Sequence, residues 1–245
     1  VELRGRTALV TGGAVRVGRA LALALAGEGM RVAIHFGGSA TEADEVVRRI
    51  RGGGREAVAL QADLADAAAV ERLADEAEGA WPGGVDVLVN SAAVFPSEDI
   101  EATDAALWDR TLAVNLRAPF LLIRRLAPRM RGRGDGTVVN IADLAGLQTW
   151  RHFAAHGIAK AGLVHLTQTA AREFAPEVRV VGIAPGTVLP PVGTPDDELR
   201  RLAERAPLRR IGSPDDVVGA MLYLLRAPFV TGQTLVVDGG RLIAS

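Results

Sequence analysis

Cysteine is absent from this 245-residue chain, which removes disulfides, thiolate metal ligands and cysteine nucleophiles together and points to a reducing compartment. Lysine and tyrosine are nearly absent: Lys160 and Tyr223 each occur once, so every other basic side chain among the 28 is an arginine. A charge surplus is missing as well. The formal net charge of -1 gives no electrostatic reason for nucleic acid or an anionic membrane to be a partner, and a small-molecule role is expected. The apolar stretch near the start, Ala20 to Ala26, is far too short to span a bilayer, and a strand pattern begins before a signal peptide would fit. A cytoplasmic protein with no metal site is expected.

What is present is a regular alternation. Short β-branched runs cover Thr7 to Thr11, Arg31 to Phe36, Ala57 to Gln61, Val85 to Asn90, Thr137 to Ala142, Val178 to Ile183 and Leu235 to Val237. Between them lie segments of helical period near 17–28, 40–51, 66–79, 104–131, 153–174 and 214–226. This order predicts a doubly wound α/β fold, a seven-stranded parallel sheet with helices on both faces. With 49% apolar residues the chain can bury one sizeable core, so residues 1–245 are read as one domain. Helix starts are marked by Ser39-Ala40-Thr41-Glu42, Thr194-Pro195-Asp196-Asp197 and Ser213-Pro214-Asp215-Asp216, where a capping side chain precedes proline or acids. In such sheets ligands sit at the carboxyl ends of the strands.

The first strand runs into the first helix through Thr11-Gly12-Gly13-Ala14-Val15-Arg16-Val17-Gly18. Gly12 permits a tight turn, Gly18 allows close helix approach, and the helix amino end around Val17 offers N–H groups to a pyrophosphate. The pattern Thr-Gly-x-x-x-Gly-x-Gly resembles that of the short-chain dehydrogenase/reductase family, with Arg16 in place of the middle glycine. A cation in the first turn opposes the helix dipole, so an anion is expected near it. The resemblance covers essentially the whole chain and implies a Rossmann-type fold that binds NAD(P). After the second strand, His35-Phe36-Gly37-Gly38-Ser39 lacks the acid that would hold a ribose 2′-hydroxyl. NADP(H) is therefore favoured over NAD(H), with Arg16 and Ser39 candidates for its 2′-phosphate, as in pteridine reductases, which carry arginine in this loop. His35 is expected to be structural or to lie beside the adenosine. The resemblance further implies cofactor contacts at Asp63 and Leu64, at Asn90 and Ala92, and at Pro185-Gly186, followed by a substrate lid over about 187–210. Pro190 stands where the family often has a threonine.

The resemblance also implies where the chemistry lies. The family's catalytic tyrosine and the lysine four residues later share a helix face; here the motif reads His156-Gly157-Ile158-Ala159-Lys160. Asp143 occupies the position of the family serine, as in pteridine reductases, and Asn115 completes the tetrad. Phe95, Trp150 and His152 are candidates to line the substrate site, and His165 is expected to pack. An unperturbed imidazole titrates near about 6.5 against about 10 for a phenol, so His156 can donate a proton at neutral pH. Lys160 would oppose its protonation and an ionised Asp143 would favour it, whereas a protonated Asp143 could itself be the acid. The expected function is an NADPH-dependent reductase of a carbonyl or pterin-like C=N compound. The alternatives are a non-catalytic NADP(H)-binding sensor or interaction protein and a 3-oxoacyl-carrier-protein reductase docking its carrier on Arg124, Arg125, Arg129, Arg131 and Arg133. Tyr223, on a later helix packed on the sheet, does not replace the tyrosine. The Ala-rich helix from Phe153 to Phe174 is short of polar surface, so a homodimer or homotetramer is expected.

Overall fold

Seven strands form one parallel sheet in the computed structural model, which describes residues 2–190 and 193–244. They are β1 (Thr7–Val10), β2 (Arg31–Phe36), β3 (Ala57–Gln61), β4 (Val87–Asn90), β5 (Gly136–Ile141), β6 (Val178–Pro185) and β7 (Thr234–Val237). Their order in space is β3-β2-β1-β4-β5-β6-β7. The central strands β1, β4 and β5 are buried along their whole length. This is why they read as continuous apolar runs and not as alternating ones. The chain first builds outward from β1 to β3, then returns to place β4 beside β1 with Leu9 opposite Leu88. The loops leaving β1 and β4 therefore diverge and open a crevice at their carboxyl ends, the place where such sheets take ligands.

Helices cover both faces. On one side α1 (Arg16–Gly27), α2 (Ala40–Gly52) and α8 (Pro214–Arg226) pack over Ala8, Val10, Ile34, Val139 and Ile183. On the other, α3 (Ala67–Gly79), α5 (Ala118–Arg133) and α6 (Ala154–Phe174) pack over Leu9, Ala33, Leu88, Val138 and Val180. Leu122 and Leu126 of α5 are fully buried, and each such side chain stabilises the fold by about 1.5–3 kcal/mol relative to exposure. The shorter α4 (Ala105–Leu112) and α7 (Asp196–Glu204) flank the open end of the sheet.

The structure departs from the sequence expectation in several places. The helix anticipated over 104–131 is broken by a π turn at Ala113–Arg117, where the side chain of Asn115 bonds the backbone of Val94 at both ends and Pro119 opens α5 without needing an N–H partner. Ser39 makes no side-chain cap, and α7 begins at Asp196 after Pro195, one residue later than expected. His165 is exposed instead of packed, and Tyr223, although its helix lies on the sheet, points outward. The α5 arginines do not form a free basic end: Arg124 pairs with Glu71, Arg125 and Arg129 with Asp75, and Arg133 with Glu78, while Arg131 lies over the ring of Phe174.

The third anticipated cap is complete. Asp216 accepts from the Ser213 N–H at 2.7 Å and from Arg210 at 2.9 and 2.8 Å. The Arg210 guanidinium, followed by the Ser213 backbone, holds its carboxyl well below the usual range. Asp216→Ala is expected to lower Tm by about 2–4 °C at pH 7. Because the folded pKa is depressed, this contribution is complete above the unfolded carboxylate value and is lost as pH falls through the folded one. Melting curves of the two proteins should converge only in strong acid.

Candidate functional site

The glycine turn is braced from three directions. Beyond β1, the Thr11 hydroxyl accepts from the N–H groups of Ser91 and Ala92 at 2.9 and 3.1 Å, tying the loop after β4 to the end of β1. Gly12 N–H donates to Nδ1 of His35 at 3.1 Å, and Nε2 of His35 meets the Ala62 carbonyl at 3.1 Å. This pairing requires a neutral ring carrying its proton on Nε2. Burial pushes the His35 pKa below its ordinary value, against the Ala62 hydrogen bond that would raise it. With both nitrogens engaged inside the chain, His35 braces the turn and its ring polar atoms are not open to an adenosine. Gly18 is required on steric grounds, since a Cβ there would lie 2.1 Å from the Gly12 carbonyl oxygen. The helix α1 starts after Val15 with no side-chain cap, which leaves the first-turn N–H groups, that of Val17 included, unclaimed by any side chain.

Arg16 has φ +52°, a left-handed conformation that glycine adopts freely and arginine at a cost of about 1–3 kcal/mol. Its guanidinium donates to the carbonyl of Leu189, joining the glycine turn to the segment after β6. Ser39 lies half-buried just beyond β2, with no carboxylate between Phe36 and Ser39. Asp63 is exposed, accepting from Ala65 N–H at 3.0 Å with Arg110 3.8 Å away, while Leu64 is buried. Asn90 is buried and donates to Oδ1 of Asn140, which in turn donates to Thr167. This chain of amides joins β4, β5 and α6, and it escaped the sequence reading because Asn140 and Thr167 carry no motif of their own. Pro185 ends β6, and Gly186 N–H donates to Val237.

The second half of the site is built where α6 crosses the end of β5. After β5 the chain turns through a short 3₁₀ segment, Leu144–Gly146, capped by Asp143, whose Oδ1 accepts from Ala145 N–H at 2.8 Å. A Cβ on Gly146 would lie 2.7 Å from the Lys160 carbonyl carbon, so this segment presses directly on α6. Lys160 is buried and donates from Nζ to the Ile141 carbonyl at 2.7 Å. Burial lowers its pKa from 10.5 to about 8, opposed by the nearby Asp143 carboxylate. One turn earlier on the same face, His156 is 2% exposed. Its Nδ1 lies 3.3 Å from both the Asn115 amide nitrogen and the Val94 carbonyl, and its Nε2 lies 3.7 Å from Oδ2 of Asp143. Nε2 is buried with no hydrogen-bond partner. The four residues of the expected tetrad are thus adjacent, but the imidazole sits deeper than the Asp143 carboxylate, which is 24% exposed.

Aromatic rings form the rim. Phe95, 53% exposed, meets His156 edge-on at 4.5 Å and Phe153 at 4.7 Å, and Phe153 meets Trp150 at 6.0 Å. His152 has φ +66° and its ring bonds Asp99 at 2.6 Å. The sequence reading missed Arg241, whose guanidinium lies 5.0 Å from the centre of the Trp150 ring and donates to the Thr187 hydroxyl at 3.0 Å. Positions 191 and 192 of the expected lid lie outside the described residues.

A parallel sheet in this strand order, with a glycine turn at the switch point and a buried lysine four residues after a titratable group, defines a dinucleotide-dependent oxidoreductase fold. The profile of the family described as enoyl-(acyl carrier protein) reductase matches residues 13–241, and the chain belongs to the short-chain dehydrogenase/reductases, NAD(P)-dependent oxidoreductases. It is 34% identical over 240 residues to a 3-oxoacyl-acyl-carrier-protein reductase of Staphylococcus epidermidis, covering 96% of this chain and 98% of that one. It is 36% identical over 247 residues to 3beta-hydroxysteroid dehydrogenase 1 of Eggerthella lenta, covering 98% and 94%. Among solved structures, alternative dihydrofolate reductase 1 from Brucella suis in complex with NADP superposes with a TM-score of 0.92 at 33% identity, covering 100% of this chain and 98% of that one. No helix among the described residues is long and apolar enough to cross a membrane.

Two buried bases of depressed pKa give stability tests of the same sign. Stability carried by neutral His35 is present above its unfolded value and declines as pH drops through the folded one. Denaturant titrations should show wild type losing stability from about pH 6.5 downward, and His35→Gln, which keeps an acceptor for Gly12, losing that part of the dependence. For Lys160, the cost of the buried ammonium is complete below about 8 and is relieved as pH rises. Lys160→Met is expected to gain stability relative to wild type at pH 7, with the gap closing toward pH 10.

Proposed function

We propose that this chain is an NADP(H)-dependent reductase of a carbonyl or conjugated C=N substrate, with Asp143 and His156 together supplying the proton. The observation that carries the reading is the unpartnered, buried Nε2 of His156 facing Asp143 beside Lys160. The cradle suits a dinucleotide: Gly18 leaves no room for a side chain, the first-turn N–H groups of α1 are uncapped, and no carboxylate follows β2 to repel a 2′-phosphate. Gly12, Val17 and Gly18 would hold the pyrophosphate, Ser39 the 2′-phosphate, Asp63 and Leu64 the adenine side, Asn90, Ala92, Pro185 and Gly186 the nicotinamide side, and Lys160 the ribose. Arg16, engaged with Leu189, would close the lid over about 187–210 onto this cradle. When bound, the reduced cofactor supplies the hydride.

The proton follows from the residues present. In its protonated form His156 donates from Nδ1 to the Val94 carbonyl and carries its second proton on Nε2, aimed at Asp143. The carboxyl of Asp143 is the outermost group of the pair, and it can pass a proton to the developing alkoxide or amide while the imidazolium gives its Nε2 proton to Asp143 and is left neutral with its remaining proton on Nδ1. Phe95 offers an exposed ring on which a planar substrate can stack, and Trp150 and His152 complete the wall. Pairing of Arg124, Arg125, Arg129 and Arg133 with carboxylates of α3 favours this reading over a 3-oxoacyl-carrier-protein reductase that docks its carrier on α5, an alternative that the similarity to such reductases supports. Ile158 on α6 and Phe120 on α5, both about half exposed, support assembly into a homodimer or homotetramer through this face.

Turnover of NADPH with a conjugated diketone and a dihydropterin tests the proposal. His156→Ala and Asp143→Asn should each lower kcat by about 10²–10⁴-fold while leaving the Kd for NADPH within about twofold; NADPH binding without turnover in wild type would leave a cofactor-binding module instead. In calorimetry NADPH should bind more tightly than NADH, and Ser39→Asp should reverse the order.

A further inference from the structure

The cleft ends in a cation that the reduction step does not use. Arg241 follows Asp238-Gly239-Gly240, and its position is built: Asp238 accepts from the N–H groups of Gly240 and Leu242 at 2.7 and 2.6 Å, folding the chain into the 3₁₀ turn Arg241–Ile243. The side chain then crosses from the carboxyl end of β7 to the rim of the site, where it lies over Trp150 and is pinned by the Thr187 hydroxyl. No carboxylate among the described residues forms an ion pair with it, although most arginines of α5 are paired. Burial, followed by the like charge of Arg205, disfavours its protonated form, against the Asp143 and Asp238 carboxylates that favour it. A guanidinium that lies on an aromatic ring and is bonded to a single hydroxyl keeps N–H donors for an anionic ligand.

The ring contacts run from Arg241 through Trp150, Phe153 and Phe95 to His156. One end of the cleft therefore carries the proton donors and the other a guanidinium, joined by apolar surface. We propose that Arg241 is a specificity residue that binds a carboxylate on the substrate, so that the enzyme selects planar carbonyl or imine compounds with an anionic group at the end remote from the reacting carbon. This rests on the reductase reading for its chemistry, but the anion contact can be measured without turnover. The carboxylate would accept from the guanidinium nitrogens not engaged by Thr187, with the substrate's aromatic portion lying along Trp150 and Phe153.

The test uses 4-formylbenzoate and its methyl ester, which differ only in the anion. With NADP⁺-loaded protein, wild type should bind the carboxylate more tightly than the ester by about 10–100-fold. Arg241→Gln should erase that preference, Arg241→Lys should keep part of it, and NADPH affinity should stay within about twofold in both. In turnover, the same preference should appear in KM more than in kcat. The proposal is overturned if wild type binds both compounds equally, if Arg241→Gln weakens both alike, or if the variant loses NADPH affinity instead, which would assign Arg241 to the cofactor. Discrimination in binding with no reduction of either aldehyde or of the diketone and pterin would sink the reductase reading and leave the anion site standing.

Discussion

A single ammonium group inside the protein sets the geometry around it. Lys160 is fully enclosed, and an enclosed charge must be met by hydrogen bonds and opposite charge or lose its proton. The Ile141 carbonyl, on the last residue of β5, meets it. The Asp143 carboxylate, two residues on, supplies the opposing charge. Both partners lie on the segment that turns from β5 toward α6, so the position of that segment decides whether the lysine can be charged at all. The close contact at Gly146 settles it by pressing the 3₁₀ turn against α6, and the same contact carries Asp143 beside His156.

The other half of the crevice depends on a second buried base treated in the opposite way. His35 stays neutral because its two nitrogens have different partners, a donor in Gly12 and an acceptor in Ala62. This links the glycine turn to the end of β3 across β2, so three strand ends are held in one arrangement with no charge involved. Thr11 performs the matching task toward the loop after β4. The turn is thus rigid before any ligand arrives, which lowers the ordering cost of binding. Arg16 departs from this economy: it accepts a left-handed backbone and directs its side chain to the Leu189 carbonyl in the segment after β6.

Replacing a phenol by an imidazole changes reach as well as acidity. The ring of His156 ends short of the cleft surface, behind Asp143 and beside Phe95, and its inner nitrogen is held by Asn115 and Val94. The aspartate at position 143 is the more exposed of the two, with an oxygen 3.7 Å from the ring's Nε2. The Asp143 carboxylate thus stands outside the His156 ring, and the π turn that presents Asn115 places its amide against the ring's inner nitrogen.

Much of this was legible in the chain because it is local. Strand and helix alternation follows from apolar periodicity, the glycine turn from steric demands within eight consecutive residues, the His156 and Lys160 pair from helical spacing, and the placement of Asp143 from its position at a strand end. The solitary Lys160 stood out against an all-arginine background. What was not legible depends on partners brought together by the crossovers. The second bond of His35, the ion pairs that neutralise the α5 arginines, the break at Asn115 and the outward direction of His165 each require knowing which element lies opposite. Arg241 is the clearest case: nothing near it in the chain marks it, and it meets Trp150 and Thr187 only because β6 and β7 pair in parallel and deliver both loops to one end of the sheet. Local sequence thus determined the elements and the atoms able to do chemistry, whereas the packing of those elements decided which polar groups were satisfied, and by exclusion which were left for a ligand.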